Sequence, residues 1–89
     1  MKPVVEKMVG FNKNAVLSAK EAAAFVSEAR KYDSDVWLEK GDKRVDGKSI
    51  MGIMSLAGVN DNFLTICADG VDEVAALDSL VKIAQEATE

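Results

Sequence analysis

From Val4 to Phe11, apolar and charged or small residues alternate with a rough period of two, with Val5, Val9 and Phe11 set against Glu6 and Gly10. That spacing predicts a strand. Asn12 to Ala15 is polar and reads as a loop. From Ser18 to about Tyr32 the period lengthens, placing Ala22, Phe25, Val26 and Ala29 on one helical face and Lys20, Glu28 and Lys31 elsewhere. Asp35 to Lys40 and Lys43 to Gly47 predict two short strands about a Gly41-Asp42 turn. Ser49 to Leu56 is short and almost wholly apolar, and Phe63 to Ala68 predicts a strand ended by Asp69-Gly70. A last helix, capped by Asp72, runs to about Glu86 with Leu77, Leu80, Val81 and Ala84 turned inward.

The predicted order is β-α-β-β-α-β-α. Hairpin-joined strands and amphipathic helices point to an α+β fold, one mostly antiparallel sheet with helices over one face. The sequence contains no repeat, low-complexity tract or linker, so one domain is expected over residues 1–89.

Composition narrows the chemistry. At 48% hydrophobic and 29% charged residues the chain has enough apolar surface for a core. A net charge of −4, with no run of Lys and Arg, argues against direct nucleic-acid binding. The apolar runs are too short to span a bilayer, and Met1-Lys2-Pro3 leads into no signal-like segment. A single cysteine, Cys67, cannot form an internal disulfide and fits a reducing cytoplasm. The chain has no histidine, which removes imidazole catalysis, a Ser-His-Asp triad and His-ligated metal. No enzyme activity, metal or cofactor is expected.

Four places deserve weighing. Ser18-Ala19-Lys20-Glu21 matches a capping box, in which Ser18 and Glu21 each bond the other's backbone N–H. Ser18 then starts a helix, and Glu21 opposes any phosphate there. Ser49 stands between Lys48 and the apolar run Ile50, Met51, Ile53, Met54 and Leu56. If Ile53 and Leu56 point inward, Ile50, Met51 and Met54 share an outward, adaptable contact face; the alternative is a buried short helix with Ser49 as its N-cap. Asp78-Ser79-Leu80 has the serine of acyl carrier proteins, but in mid-helix, where that arm would not be attached. Cys67 and Trp37 fall in strands and receive no role.

The stretch from Lys31 to Glu73 closely resembles HPr, the histidine-containing phosphocarrier family of the bacterial sugar phosphotransferase system. Lys31-Tyr32-Asp33, Lys48-Ser49-Ile50-Met51-Gly52 and Gly70-x-Asp72-Glu73 fall in register with it. The resemblance implies an open-faced β-sandwich with a four-stranded antiparallel sheet covered on one face by helices. It also isolates a departure. Where the family has G-[IL]-H-A-R-P-A, this chain has Val16-Leu17-Ser18-Ala19-Lys20-Glu21-Ala22. Ser18 replaces the phosphoacceptor histidine, Lys20 the arginine and Glu21 the proline. A serine phosphoester does not hand its phosphoryl group onward as phosphohistidine does, so the resemblance implies a chain unable to carry phosphohistidine.

The family's second site implies another role. In Gram-positive relatives the serine matching Ser49 is phosphorylated by an HPr kinase/phosphorylase, and the product is corepressor for a LacI-type catabolite-control regulator. The implied reading is a regulatory protein of the catabolite-repression type, switched at Ser49, with Lys20, Ile50, Met51 and Met54 meeting partners. The alternative is an unswitched HPr-like binding module that engages HPr partners without phosphorylation.

Overall fold

The computed structural model describes residues 4–87; residues 1–3 and 88–89 of the expected domain lie outside them. The elements are β1 (Val5–Gly10), α1 (Ala19–Ala29), β2 (Asp35–Lys40), β3 (Lys43–Asp46), α2 (Ile50–Ser55) with a following 3-10 turn (Leu56–Gly58), β4 (Phe63–Asp69) and α3 (Glu73–Glu86). The strands form one antiparallel sheet in the order β1-β4-β2-β3. The expected α+β order is the observed one. No described helix is long and apolar enough to cross a membrane.

One face of the sheet is covered. Alternation along β2 and β4 turns Val36, Leu38, Leu64, Ile66 and Ala68 into the core, where they meet Ala22, Phe25, Val26 and Ala29 of α1 and Ala76, Leu80 and Ala84 of α3. Burying each large apolar side chain is worth roughly 1.5–3 kcal/mol. Helix α3 packs over β1 and β4 and against α1, while α2 lies between α1 and the β3 edge. The opposite sheet face carries the row Glu6, Cys67, Trp37 and Asp46 in direct cross-strand register, and beside it the row Met8, Thr65, Glu39 and Arg44. There the Arg44 guanidinium stacks 4.3 Å over the Trp37 ring.

Turn chemistry fixes the β2–β3 hairpin. Lys40 pairs with Lys43 across a two-residue loop in which Gly41 has φ 58°, a conformation glycine adopts without a Cβ penalty. Helix α1 ends three residues before the Tyr32 expected from its periodicity. The N–H groups of Lys31 and Tyr32 reach back three residues, to Glu28 and Ala29, so the α-helical ladder tightens there.

Asp72 departs from expectation. It precedes α3 as its N-cap, yet its side chain makes no cap bond. Its carboxylate instead accepts the N–H groups of Asp33 and Ser34, each at 2.9 Å, and the Ser34 hydroxyl. The cap region is closed by Glu73, which accepts the Gly70 N–H at 3.0 Å. A Cβ on Gly70 would lie 2.5 Å from Ser34 Cα, so the close approach that brings Asp72 to this loop requires glycine. A second polar tie joins the helices: Ser79 donates to Glu28, which also accepts from Lys31 at 3.0 Å and Tyr32 at 3.3 Å. Ser79 is thus an interhelical link, and no carrier arm is suggested.

These bonds make stability acid-sensitive. The Ser34 hydroxyl, then the Asp33 N–H, holds the Asp72 carboxyl below its ordinary range, and the Ser79 hydroxyl, then Lys31, does the same for Glu28. Each pKa is lower folded than unfolded, so each contribution is complete above the unfolded value of about 4 and lost as pH falls through the folded one. Urea unfolding followed from pH 7 downward should show midpoints falling below about pH 4. The Asp72→Asn, Glu28→Gln double variant should begin less stable at pH 7 and lose less on acidification.

Candidate functional site

Helix α1 starts with a complete capping box. The Ser18 N–H donates to Glu21 Oε1 at 2.8 Å, and the Glu21 N–H donates to Ser18 Oγ at 3.1 Å. Such a cap contributes about 0.5–2 kcal/mol. Two of the donors that a helix start offers an anion are thereby satisfied from within. Ser18 and Lys20 are exposed and share a shallow depression with Glu21, Ala24, Ile83 and Glu86, near the end of α3. Two carboxylates against one ammonium make it a poor anion seat.

Ser49 starts α2. Its backbone is extended (φ −121°, ψ 116°), and its Oγ accepts the Gly52 N–H at 3.1 Å. Ser49 itself is half-buried. Only Ile53 of α2 is buried, with Leu56 of the following turn; Ile50 is 44%, Met51 84% and Met54 38% exposed. Ser49 is therefore an N-cap, as one alternative held, but the helix it caps leaves most of its apolar side chains outside.

Side chains from other elements hold α2 in place. The Lys40 ammonium, only 1% exposed, donates to the Leu56 carbonyl at 3.1 Å, and Lys43 reaches the Ser55 carbonyl at 3.4 Å. These cations meet the carbonyl-rich end of a helix with no basic residue in its own last turn. Burial lowers the Lys40 pKa, against a smaller opposing pull from Asp61. At the other end Lys48 Nζ donates to the Tyr32 carbonyl at 2.9 Å, Asp46 accepts the Lys48 N–H at 2.9 Å, and the exposed Arg30 guanidinium lies 3.5 Å from the Lys48 carbonyl. The two ends of the surface join, since Val16 and Leu17, just before Ser18, line an apolar hollow with Ile53, Leu56 and Ala57.

Lys40, Arg30 and the company of Cys67 carry no mark in the sequence that points to a site. Alternation with Val36 and Leu38 does mark Lys40 as inward-facing; the other two follow only from tertiary structure. Cys67 Sγ lies 3.7 Å from Glu6 Oε2 and, with Glu39, forms the one grouping of metal-donor types found among the described residues. Burial first, then the two carboxylates, pushes its thiol up to about 12. A thiol so hard to ionise is a poor nucleophile.

Comparison with known proteins agrees with this geometry. Residues 5–86 match the family model described as the PTS HPr component phosphorylation site. The chain is 45% identical over 83 residues to the HPr-like protein Crh of Bacillus subtilis strain 168, covering 93% of this chain and 98% of that protein. It superimposes on HPr-C-His from Thermoanaerobacter tengcongensis with a TM-score of 0.81, at 38% identity and 94% coverage of both chains. A crystal structure of Bacillus subtilis Crh, described as a domain-swapped intertwined dimer, gives a TM-score of 0.69 at 44% identity, covering 92% of this chain and 94% of that one.

The exposure pattern on α2 predicts a sharp contrast in stability. Met51→Glu should change the unfolding free energy by less than about 0.5 kcal/mol, as an exposed substitution does. Ile53→Ala, in the same helix, should cost about 2–5 kcal/mol. Denaturant titration of the two variants measures both.

Proposed function

The chain belongs to the HPr family, and from that premise we propose that it is a cytoplasmic regulatory member that carries no phosphohistidine. The observation that carries this reading is the contrast between a serine whose cap already holds a carboxylate and one whose cap does not. Ser18, matching the family's phosphohistidine position, is engaged with Glu21 in a cap. Ser49, matching the family's regulatory serine, stands beside the exposed Ile50, Met51 and Met54. With no histidine in the sequence, no N–P bond to imidazole can form.

In this reading an HPr kinase/phosphorylase transfers the γ-phosphoryl group of ATP to Ser49. The Oγ–P bond forms as the bond from phosphorus to the ADP oxygen breaks, and the serine hydroxyl proton passes to a base of the kinase and on to solvent. The product gains roughly −1.5 to −2 charges at pH 7 next to the apolar α2 face. A partner such as a LacI-type catabolite-control regulator then meets a dianion and exposed methionines together, while a partner suited to the uncharged face is repelled. Lys20, exposed in the first turn of α1, adds a cation for such a partner. The half-burial of Ser49 favours the second reading, an unswitched module that binds through the same α2 face.

Incubation with HPr kinase and ATP, followed by site-localised mass spectrometry, tests the proposal. One phosphoryl group on Ser49, lost in Ser49→Ala, is expected, with the circular-dichroism spectrum nearly unchanged. Phosphoenolpyruvate and the first enzyme of the phosphotransferase system should leave no acid-labile phosphoprotein. Labelling of Ser18 or Ser55 in place of Ser49, or none, would select the unswitched module.

A further inference from the structure

We infer that Arg30, at the far end of α1, is the residue that receives a phosphate on Ser49, and that the adjacent Lys48 is not. The inference rests on the proposed modification of Ser49 and adds how the charge is held within the domain.

Sequence proximity favours Lys48, but the geometry does not. Lys48 Nζ is partly buried and already donates to the Tyr32 carbonyl at 2.9 Å, where the backbone leaves α1. No basic residue lies in the last turn of α1, and this ammonium meets a carbonyl just beyond the helix end, where a cation is favoured. Turning Lys48 toward Ser49 would leave the Tyr32 carbonyl without it. Arg30 has no such commitment. It is exposed, and the one hydrogen bond its side chain makes among the described residues is a long 3.5 Å approach from Nη2 to the Lys48 carbonyl, on the peptide joined to Ser49. A contact of that length is weak and readily exchanged. The guanidinium thus lies against the peptide that joins Lys48 to Ser49 and is free to turn toward the serine.

The electrostatics require such a partner. Asp46, which accepts the Lys48 N–H at 2.9 Å and whose main-chain carbonyl accepts the Ser49 N–H at 3.2 Å, brings a carboxylate close to the serine. A phosphate added beside that carboxylate meets like charge. Arginine offsets this with two parallel N–H donors matched to phosphate oxygens, which an ammonium cannot supply. Pairing with Arg30 ties the start of α2 to the end of α1 and sets how much phosphate charge remains for a partner.

The test uses the chain made by chemical synthesis with phosphoserine at position 49, so its outcome is independent of any kinase. The second ionisation of the phosphate is read by phosphorus NMR in the parent, Arg30→Ala, Arg30→Lys and Lys48→Ala forms. Arg30→Ala should raise the phosphate pKa by about half a unit, the size expected for losing one exposed opposite charge. Arg30→Lys should restore part of the shift, and Lys48→Ala should move it less than Arg30→Ala. An unchanged titration in Arg30→Ala, or a larger shift in Lys48→Ala, overturns the assignment. Either result leaves the kinase experiment to decide separately whether Ser49 is modified.

Discussion

A four-stranded sheet that buries one face has to bring all its helices to the same side, and here that side is filled by two. Helices α1 and α3 cover the core with Phe25, Val26, Leu80 and Ala84. The six-residue α2 is left between α1 and the β3 edge with room to bury only Ile53, assisted by Leu56 of the turn that follows. Its other apolar side chains have nowhere inward to go. Ile50, Met51 and Met54 are outside because of this crowding, and the surface they form is a consequence of the architecture. A helix that short is marginal alone. It persists because Ser49 caps its start and two lysines from the β2–β3 hairpin meet the carbonyls around its end.

The two serines show how one local motif serves different ends. Both accept the N–H of the residue three positions on. At Ser18 the partner is Glu21, whose carboxylate returns to the Ser18 N–H and supplies the negative charge that a helix start favours. At Ser49 the partner is Gly52, which brings no charge; the Asp46 carboxylate and the Arg30 guanidinium flank the Lys48 peptide beside it, and the exposed methionines follow in α2. Phosphate is redundant and repelled at the first, whereas the cap at the second carries no carboxylate of its own. The site proposed for regulation is thus the one whose cap was left electrically incomplete.

Much of this was legible in the sequence because it is local. Period two and period 3.6 placed the strands and the buried faces of α1 and α3, and the S-x-x-E spacing gave the Ser18 cap with its reciprocal bond. The outward set on α2 followed from Ile53 and Leu56 being turned inward. What escaped depends on tertiary neighbours. Asp72 reads as a cap, and only the approach of Gly70 to Ser34 shows that its carboxylate is drawn across to the Asp33–Ser34 loop. Lys48 reads as a countercharge for Ser49, and only the end of α1 shows it already engaged at Tyr32. The meeting of Glu6, Glu39 and Cys67 depends on strand order and register, which periodicity does not specify.

In the proposed reading, partners meet this chain through α2 and leave the open sheet face free. Methionine methyl groups report on both surfaces at once: Met51 and Met54 lie on α2, whereas Met8 is 60% exposed on β1, on the sheet face away from the helices. The direct measurement is a methyl NMR titration of the methionine-labelled chain with unlabelled HPr kinase. The Met51 and Met54 signals should shift or broaden while Met8 stays in place. Movement of Met8, with Met51 and Met54 unaffected, would contradict that reading.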